Sequence, residues 1–150
     1  MSLDAKSRIR NQAERLLRRA GLRNTPIRLD ILEALILEGR PVTHGEISNL
    51  RQGDPLDRVT LYRNLTTLQK KGIVHGIMGV DGVWRYCAHD MDQPGCPGNH
   101  PHFICLSCKT MICLIGQRLP TVKVPEGYSV TGKRLIVYGL CPKCQEQGKK

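Results

Sequence analysis

Aromatic side chains are scarce in this chain: its 150 residues include one Phe, one Trp and four Tyr. A core of stacked rings is therefore excluded, and Leu, Ile and Val have to fill the interior. Long apolar runs are also missing. None approaches the roughly 18 residues that would cross a bilayer, so no membrane partner is expected. The start, Met1-Ser2-Leu3-Asp4-Ala5-Lys6, has no apolar leader segment, which reads as a cytoplasmic protein. Acidic residues are few, 13 against 23 Lys and Arg, for a formal charge of +10. No Ser-His-Asp or paired-carboxylate constellation stands out, so hydrolysis is not expected and the chain does not read as an enzyme.

The length suits one ordinary domain or two small ones. Residues 1–75 carry 14 basic against 8 acidic side chains, and residues 76–150 carry 9 against 5. The basic N-terminal half is the electrostatic footprint of a nucleic-acid partner, with a merely solubilising face as the competing reading.

What is present in quantity is cysteine. Seven Cys, an odd number without an export signal, fit thiolate chemistry in a reducing compartment better than disulfides. Four form two matched pairs, Cys105-Leu-Ser-Cys108 and Cys141-Pro-Lys-Cys144. A C-x-x-C turn faces both sulfurs to one point, and two such turns supply the four thiolates of a closed structural Zn²⁺ site. Each pair follows an apolar run, His102-Phe103-Ile104 and Ile136-Val137-Tyr138-Gly139-Leu140, so the metal would staple two strands. A disulfide pair, a thiol oxidoreductase and a zinc-ribbon protein-interaction module are the rival readings. The oxidoreductase needs an accessible low-pKa pair, and thiolates locked on zinc are inert.

Along the chain, Ile9, Ala13, Leu16, Leu17 and Ala20 make one helical stripe that ends at Gly21. Thr25-Pro26 opens a second helix running to Gly39. Thr43-His44-Gly45-Glu46 is a capping box that starts a short third helix. A fourth is expected from Arg58 to Lys71, stopped by Gly72, with Val59, Leu61, Leu65 and Leu68 as its apolar stripe. Residues 73–78 and 83–87 flank an Asp81-Gly82 turn and read as a β-hairpin. Together these elements predict a winged helix-turn-helix over residues 1–88. A Pro- and Gly-rich linker or lid follows over 89–101. A small lobe over 102–150 is predicted to carry strands around 102–105, 110–115 and 128–139. The fold class is α+β, with the second lobe a small α/β unit, mostly antiparallel β, stapled by the four cysteines.

In a helix-turn-helix the second helix of the motif enters the major groove. Arg58, Thr60, Tyr62 and Arg63 can face outward there. Arg63 suits a bidentate contact to guanine, or a phosphate; Thr60 and Tyr62 suit phosphate or thymine, with a half-buried ring as the alternative for Tyr62. Arg85 on the wing and Arg8, Arg15, Arg18 and Arg19 on the first helix are phosphate candidates.

Further soft ligands gather near the lobe junction: His75, Cys87, His89, Cys96, His100, His102 and Cys113. His100 and His102 share a face if their segment is extended. Thiolate plus imidazole suits Zn²⁺ better than Mn²⁺. Tetrahedral zinc takes only four ligands, so some of His75, Cys87, His100, His102 and Cys113 are bystanders or supporting groups.

The motifs Arg23-Asn24-Thr25-Pro26-Ile27-Arg28, Thr60-Leu61-Tyr62-Arg63-Asn64-Leu65, Gly82 to Tyr86, His100-Pro-His102-Phe-Ile-Cys105-Leu-Ser-Cys108 and Val137-Tyr138-Gly139-Leu140-Cys141-Pro142-Lys143-Cys144 resemble the ferric uptake regulator superfamily over roughly residues 20–145. The resemblance implies a homodimeric, metal-dependent transcriptional repressor that binds a pseudo-palindromic DNA operator when its regulatory metal is loaded. The paired cysteines match the family's structural zinc site, and His100 and His102 its regulatory His-x-His. Cys87 and His75 stand where zinc-sensing members place ligands, and Cys113 where other members use Glu or Asp. The likeness is therefore to the zinc uptake regulator branch, with Zn²⁺ in the regulatory site. Iron-, peroxide- or nickel-sensing, with Fe²⁺ or another divalent metal, is the alternative. The chain departs from the family at Arg40-Pro41, where iron and peroxide sensors carry a His, and at Thr131-Gly132, where the accessory site lacks its His. It also departs in the short segment Gln117–Glu126, whose Pro120 and Pro125 disfavour the family's dimerisation helix.

Overall fold

The computed structural model describes residues 3–51, 54–88 and 100–148. Capping chemistry sets where the helices of the N-terminal half begin. The first, α1 (Leu3–Arg19), buries Ala13, Leu16 and Leu17 and leaves Arg8, Arg15, Arg18 and Arg19 exposed. The second, α2 (Pro26–Glu38), starts at Thr25, whose hydroxyl accepts the Arg28 N–H, with Pro26 in the first turn. It stops at Gly39, in the left-handed region at φ 59°, whose N–H donates to the Leu35 carbonyl. A two-residue strand, β1 (Val42–Thr43), leads into α3 (His44–Leu50). The reciprocal Thr43–Glu46 bonds there form the capping box read from the sequence. Asp57 caps α4 (Arg58–Lys70) by accepting the Thr60 N–H. Within α4, Leu61, Leu65 and Leu68 are buried, but Val59 is 61% exposed and does not belong to the stripe. Val59 lies two residues from Leu61, on a different helix face.

The hairpin strands are β2 (Val74–Met78) and β3 (Trp84–Ala88), antiparallel in the register Val74↔Ala88, His75↔Cys87 and Ile77↔Arg85. The strand β1 adds to the other edge of β3, Val42 opposite Tyr86, giving the sheet order β1-β3-β2. The core beneath is aliphatic as the composition requires. Leu16, Leu17, Ile31, Leu32, Leu35, Ile47, Leu61, Leu65 and Leu68 meet there, closed by Val74 and Tyr86.

The second sheet has β4 (His102–Cys105) at its centre, β5 (Met111–Cys113) antiparallel on one side and β6 (Ile136–Gly139) parallel on the other. The sheet is therefore mixed rather than mostly antiparallel, and the strand expected over 128–139 is confined to its last four residues. The chain between β5 and β6 crosses to the far edge of β4, which delivers β6 in the parallel sense. Residues 117–126 form no helix, in keeping with their prolines. A short helix unforeseen in the sequence, α5 (Pro142–Gln147), carries the second cysteine pair. The two sheets meet through a small apolar cluster of Ile77 and Cys87 from the wing with Ile104 and Met111, bordered by Cys113 and Ile136.

Candidate metal centres and nucleic-acid face

Cys105 ends β4, Cys108 follows in its turn, Cys141 caps α5 and Cys144 lies in the first turn of α5. Their sulfurs lie within 4.8 Å of one another, and the Cys108 and Cys141 Sγ atoms are 3.9 Å apart. A tetrahedron of sulfurs about 2.3 Å from zinc has edges of about 3.8 Å. A disulfide needs about 2.05 Å, and all four thiols are free. The Cys141 N–H donates to the Cys105 sulfur at 3.4 Å and, with further amide contacts, brings that thiol down to about 6. Around Cys144 the Ser107 hydroxyl favours thiolate. The crowding by Cys141, Cys108 and Cys105 outweighs it and holds the thiol up at about 11. Four negative sulfurs do not accumulate in this space without a cation, and the residues fit a metal that provides one.

A second cluster lies at the edge of the sheet contact. His102 and Cys113 are cross-strand partners on β4 and β5, and His100 precedes β4. The donor atoms of His100, His102 and Cys113 lie within 4.8 Å of one another. Both histidines are buried, with ring centroids 4.8 Å apart. His100 Nε2 is a buried nitrogen without a hydrogen-bond partner among the described residues. Such an orphan is costly unless something ligates it. On the wing side, His75 and Cys87 are also a cross-strand pair. The His75 ring stacks 6.0 Å from His102, and Cys87 is buried in the apolar cluster that Cys113 borders. Three of the expected ligands are thus brought together, and His75 and Cys87 stand beside them outside that tight set. His89 and Cys96 lie outside the described residues.

On α4, Arg58, Tyr62 and Arg63 are exposed, Tyr62 by 59%. Thr60 is half-buried and its hydroxyl donates to the Asp57 carboxylate. His44 stacks 6.3 Å from Tyr62 and meets Tyr86 edge-on at 4.9 Å, linking α3, α4 and the wing. Arg19 is exposed in the last turn of α1. Arg85 requires a correction. It is only 2% exposed, so it offers no wing surface to a phosphate. Its guanidinium donates to both Asp81 carboxylate oxygens, at 3.0 and 2.8 Å, and to the carbonyls of Val83 and Lys109. This pairing holds the Asp81 carboxyl down at about 2. Alternation in a half-buried strand marks Arg85 as a residue that could point inward, but only the tertiary structure supplies its partners.

A winged helix-turn-helix joined to two clusters of thiol and imidazole donors defines a metal-responsive regulator. The chain belongs to the ferric uptake regulator family, whose family model matches residues 19–138. Members of that family are transcription regulators rather than enzymes. A peroxide-responsive repressor of Staphylococcus epidermidis is 31% identical over 138 residues, covering 88% of this chain and 87% of its own. One from Staphylococcus aureus is 30% identical over 137 residues, covering 87% and 88%. Among solved structures, a zinc uptake regulator complexed with zinc and DNA superposes with a TM-score of 0.64 at 23% identity. That match covers 97% of this chain and 98% of the other. The Vibrio cholerae ferric uptake regulator gives 0.59 at 23% identity, covering 85% and 98%. At these identities the likeness to solved structures speaks to the fold.

Proposed function

We propose that the protein is a zinc-sensing transcriptional repressor, acting in the cytoplasm. It binds a pseudo-palindromic double-stranded DNA operator as a homodimer when zinc occupies a regulatory site at the contact between wing and second sheet. The observation that carries this reading is the buried His100–His102–Cys113 cluster with its orphaned His100 nitrogen. Two imidazoles and a thiolate without a carboxylate are the donors of a zinc site, whereas oxygen-rich sets suit manganese. Cys87 is the fourth ligand in this reading, with His75 beside it as the alternative or supporting group. When bound, zinc supplies a tetrahedral centre that favours one arrangement of its donors.

His102 and Cys113 present their donors from rigid strands, while Cys87 and His75 approach from the wing. Ligation from both sides fixes residues 1–88, the DNA-binding unit, against residues 102–150, the dimerisation and metal unit, across the linker 89–101. In the dimer this sets two α4 helices about one turn of DNA apart. Arg63 and Tyr62 then reach base edges, and Arg58, Thr60 and Arg19 hold phosphates. Exposed Ile112, Val137, Tyr138 and Leu140 on and after the second sheet give the homodimer an apolar surface to cover. Zinc in the four-cysteine site keeps that unit folded. By linkage, operator DNA tightens regulatory zinc by the same factor that zinc tightens DNA, typically about 5–150-fold.

Zinc per chain, measured by elemental analysis in wild type and Cys87→Ser together with operator binding under zinc buffering, tests this. Two zincs falling to one, with operator binding lost and the fold retained, is the expected result. One zinc in both proteins, or equal operator affinity with and without zinc, refutes it. The peroxide-responsive relatives favour a second reading, an iron- or peroxide-sensing member, which the same binding assay with Fe²⁺ and Mn²⁺ distinguishes.

A further inference from the structure

The withdrawn wing arginine bridges the wing and the first cysteine knuckle. Arg85 reaches from β3 to the carbonyl of Lys109, 24 residues away, at 3.1 Å. Lys109 directly follows the first cysteine knuckle. It is the one non-glycine residue with positive φ among the described residues, at 62°. A lysine in the left-handed region is held there against its preference. The local restraints are visible: its N–H donates to the Cys105 carbonyl at 2.9 Å, and the Cys105 N–H donates to the Thr110 carbonyl at 3.0 Å. The knuckle thus aims the Lys109 carbonyl at the wing.

The wing is shaped to meet it. Asp81 holds the guanidinium by two bonds from the hairpin turn. Gly79 leaves the space the guanidinium needs: a Cβ there would lie 2.6 Å from Arg85 Nη1 and 3.0 Å from Ile104 Cδ1. The neighbouring Trp84 makes a second tie, with the Arg134 guanidinium 5.4 Å from its ring centroid, two residues before the strand that leads to the other knuckle.

We infer that Arg85 is a positioning residue that latches the wing to the four-cysteine knuckle, so that the order of the wing depends on that knuckle being held closed. The metal at the four cysteines then does more than stabilise its own lobe; it fixes the hairpin beside the recognition helix. The inference requires a metal at the four cysteines but neither the regulatory site nor operator binding.

Hydrogen exchange on the full chain, read on peptides from residues 74–88, tests it. The regulatory site is kept empty by a weak chelator throughout, and the four-cysteine site is zinc-loaded or stripped under reducing conditions. In wild type, stripping is expected to speed wing exchange about tenfold or more, the scale of a lost bond to a charged group. Peptides from α1 and α4 should stay protected. Zinc-loaded Arg85→Lys keeps the charge but cannot bridge Asp81 and Lys109. It should show the fast wing exchange of stripped wild type while zinc content at the four cysteines is unchanged. Gly79→Ala, which crowds the guanidinium and its Asp81 partner without removing either, should do the same and serves if the first variant fails to fold. Wild-type wing protection in the zinc-loaded variants overturns the latch. So does wing exchange in wild type that ignores zinc.

Discussion

Replacing His100 by Leu separates what the second cluster costs the protein from what it does. His100 Nε2 is buried without a hydrogen-bond partner among the described residues. An unsatisfied buried polar atom costs about 1–3 kcal/mol. Leucine has a similar volume and no polar atom, so His100→Leu removes that cost and leaves no cavity. For a chain of this size each kcal/mol moves Tm by about 2–4 °C. Metal-free His100→Leu should therefore melt about 2–12 °C above metal-free wild type. With zinc the gap narrows or reverses. A ligand at one hundred times its Kd stabilises by about 2.7 kcal/mol, which wild type gains and the variant does not. The assay is thermal denaturation under zinc buffering, with a chelator weak enough to leave the four-cysteine site loaded. An apo variant that melts well below wild type would show that His100 already has a partner. A variant that gains as much from zinc as wild type would show that His100 is not a ligand. Either result defeats the reasoning.

Thr43→Ala removes the hydroxyl that accepts the Glu46 N–H, while the Glu46 carboxylate can still accept from the residue 43 N–H. It should lower unfolding free energy by about 1 kcal/mol in urea titrations. Leu65→Ala, at a side chain 1% exposed, should cost about 2–5 kcal/mol by the same measurement and shift the helix that presents Arg63. If Arg63 reads a guanine, Arg63→Ala should relax sequence preference at one position in each half-site. Arg58→Ala should weaken binding to all sequences and flatten the salt dependence by about one unit of slope, as competition binding at several salt concentrations would report. Equal loss on every sequence for Arg63→Ala would make it a phosphate contact.

The helical half was legible because its signals are local. Thr25-Pro26, Thr43 with Glu46, and Asp57 each bond a backbone group three residues on, and that geometry needs nothing from the rest of the chain. The knuckle spacing and the hairpin turn at Asp81-Gly82 are local in the same sense. Readings that depended on distant partners fared differently. A two-residue strand such as β1 has no period to detect, and it exists because Tyr86 and Arg85 lie across from it. The parallel sense of β6 follows from a crossover of more than twenty residues, and Arg85 turns inward for a carbonyl in the turn between β4 and β5. At the second cluster, residue chemistry nominated five ligands. Packing then separated the close trio of His100, His102 and Cys113 from His75 and Cys87 beside it.

The pairing of His75 with Cys87 and of His102 with Cys113 has a consequence for how such a site changes over generations. Each pair is one rung of a ladder, and His100 stands just before the strand that carries one of them. The four paired donors keep their places through changes in length elsewhere in the chain, and a harder or softer metal can be selected by exchanging one side chain on one rung. A single-residue insertion within any of these strands, by contrast, turns a rung to the opposite face and erases the site in one step. Metal preference is in this sense an inexpensive trait to alter and metal binding itself a fragile one to keep.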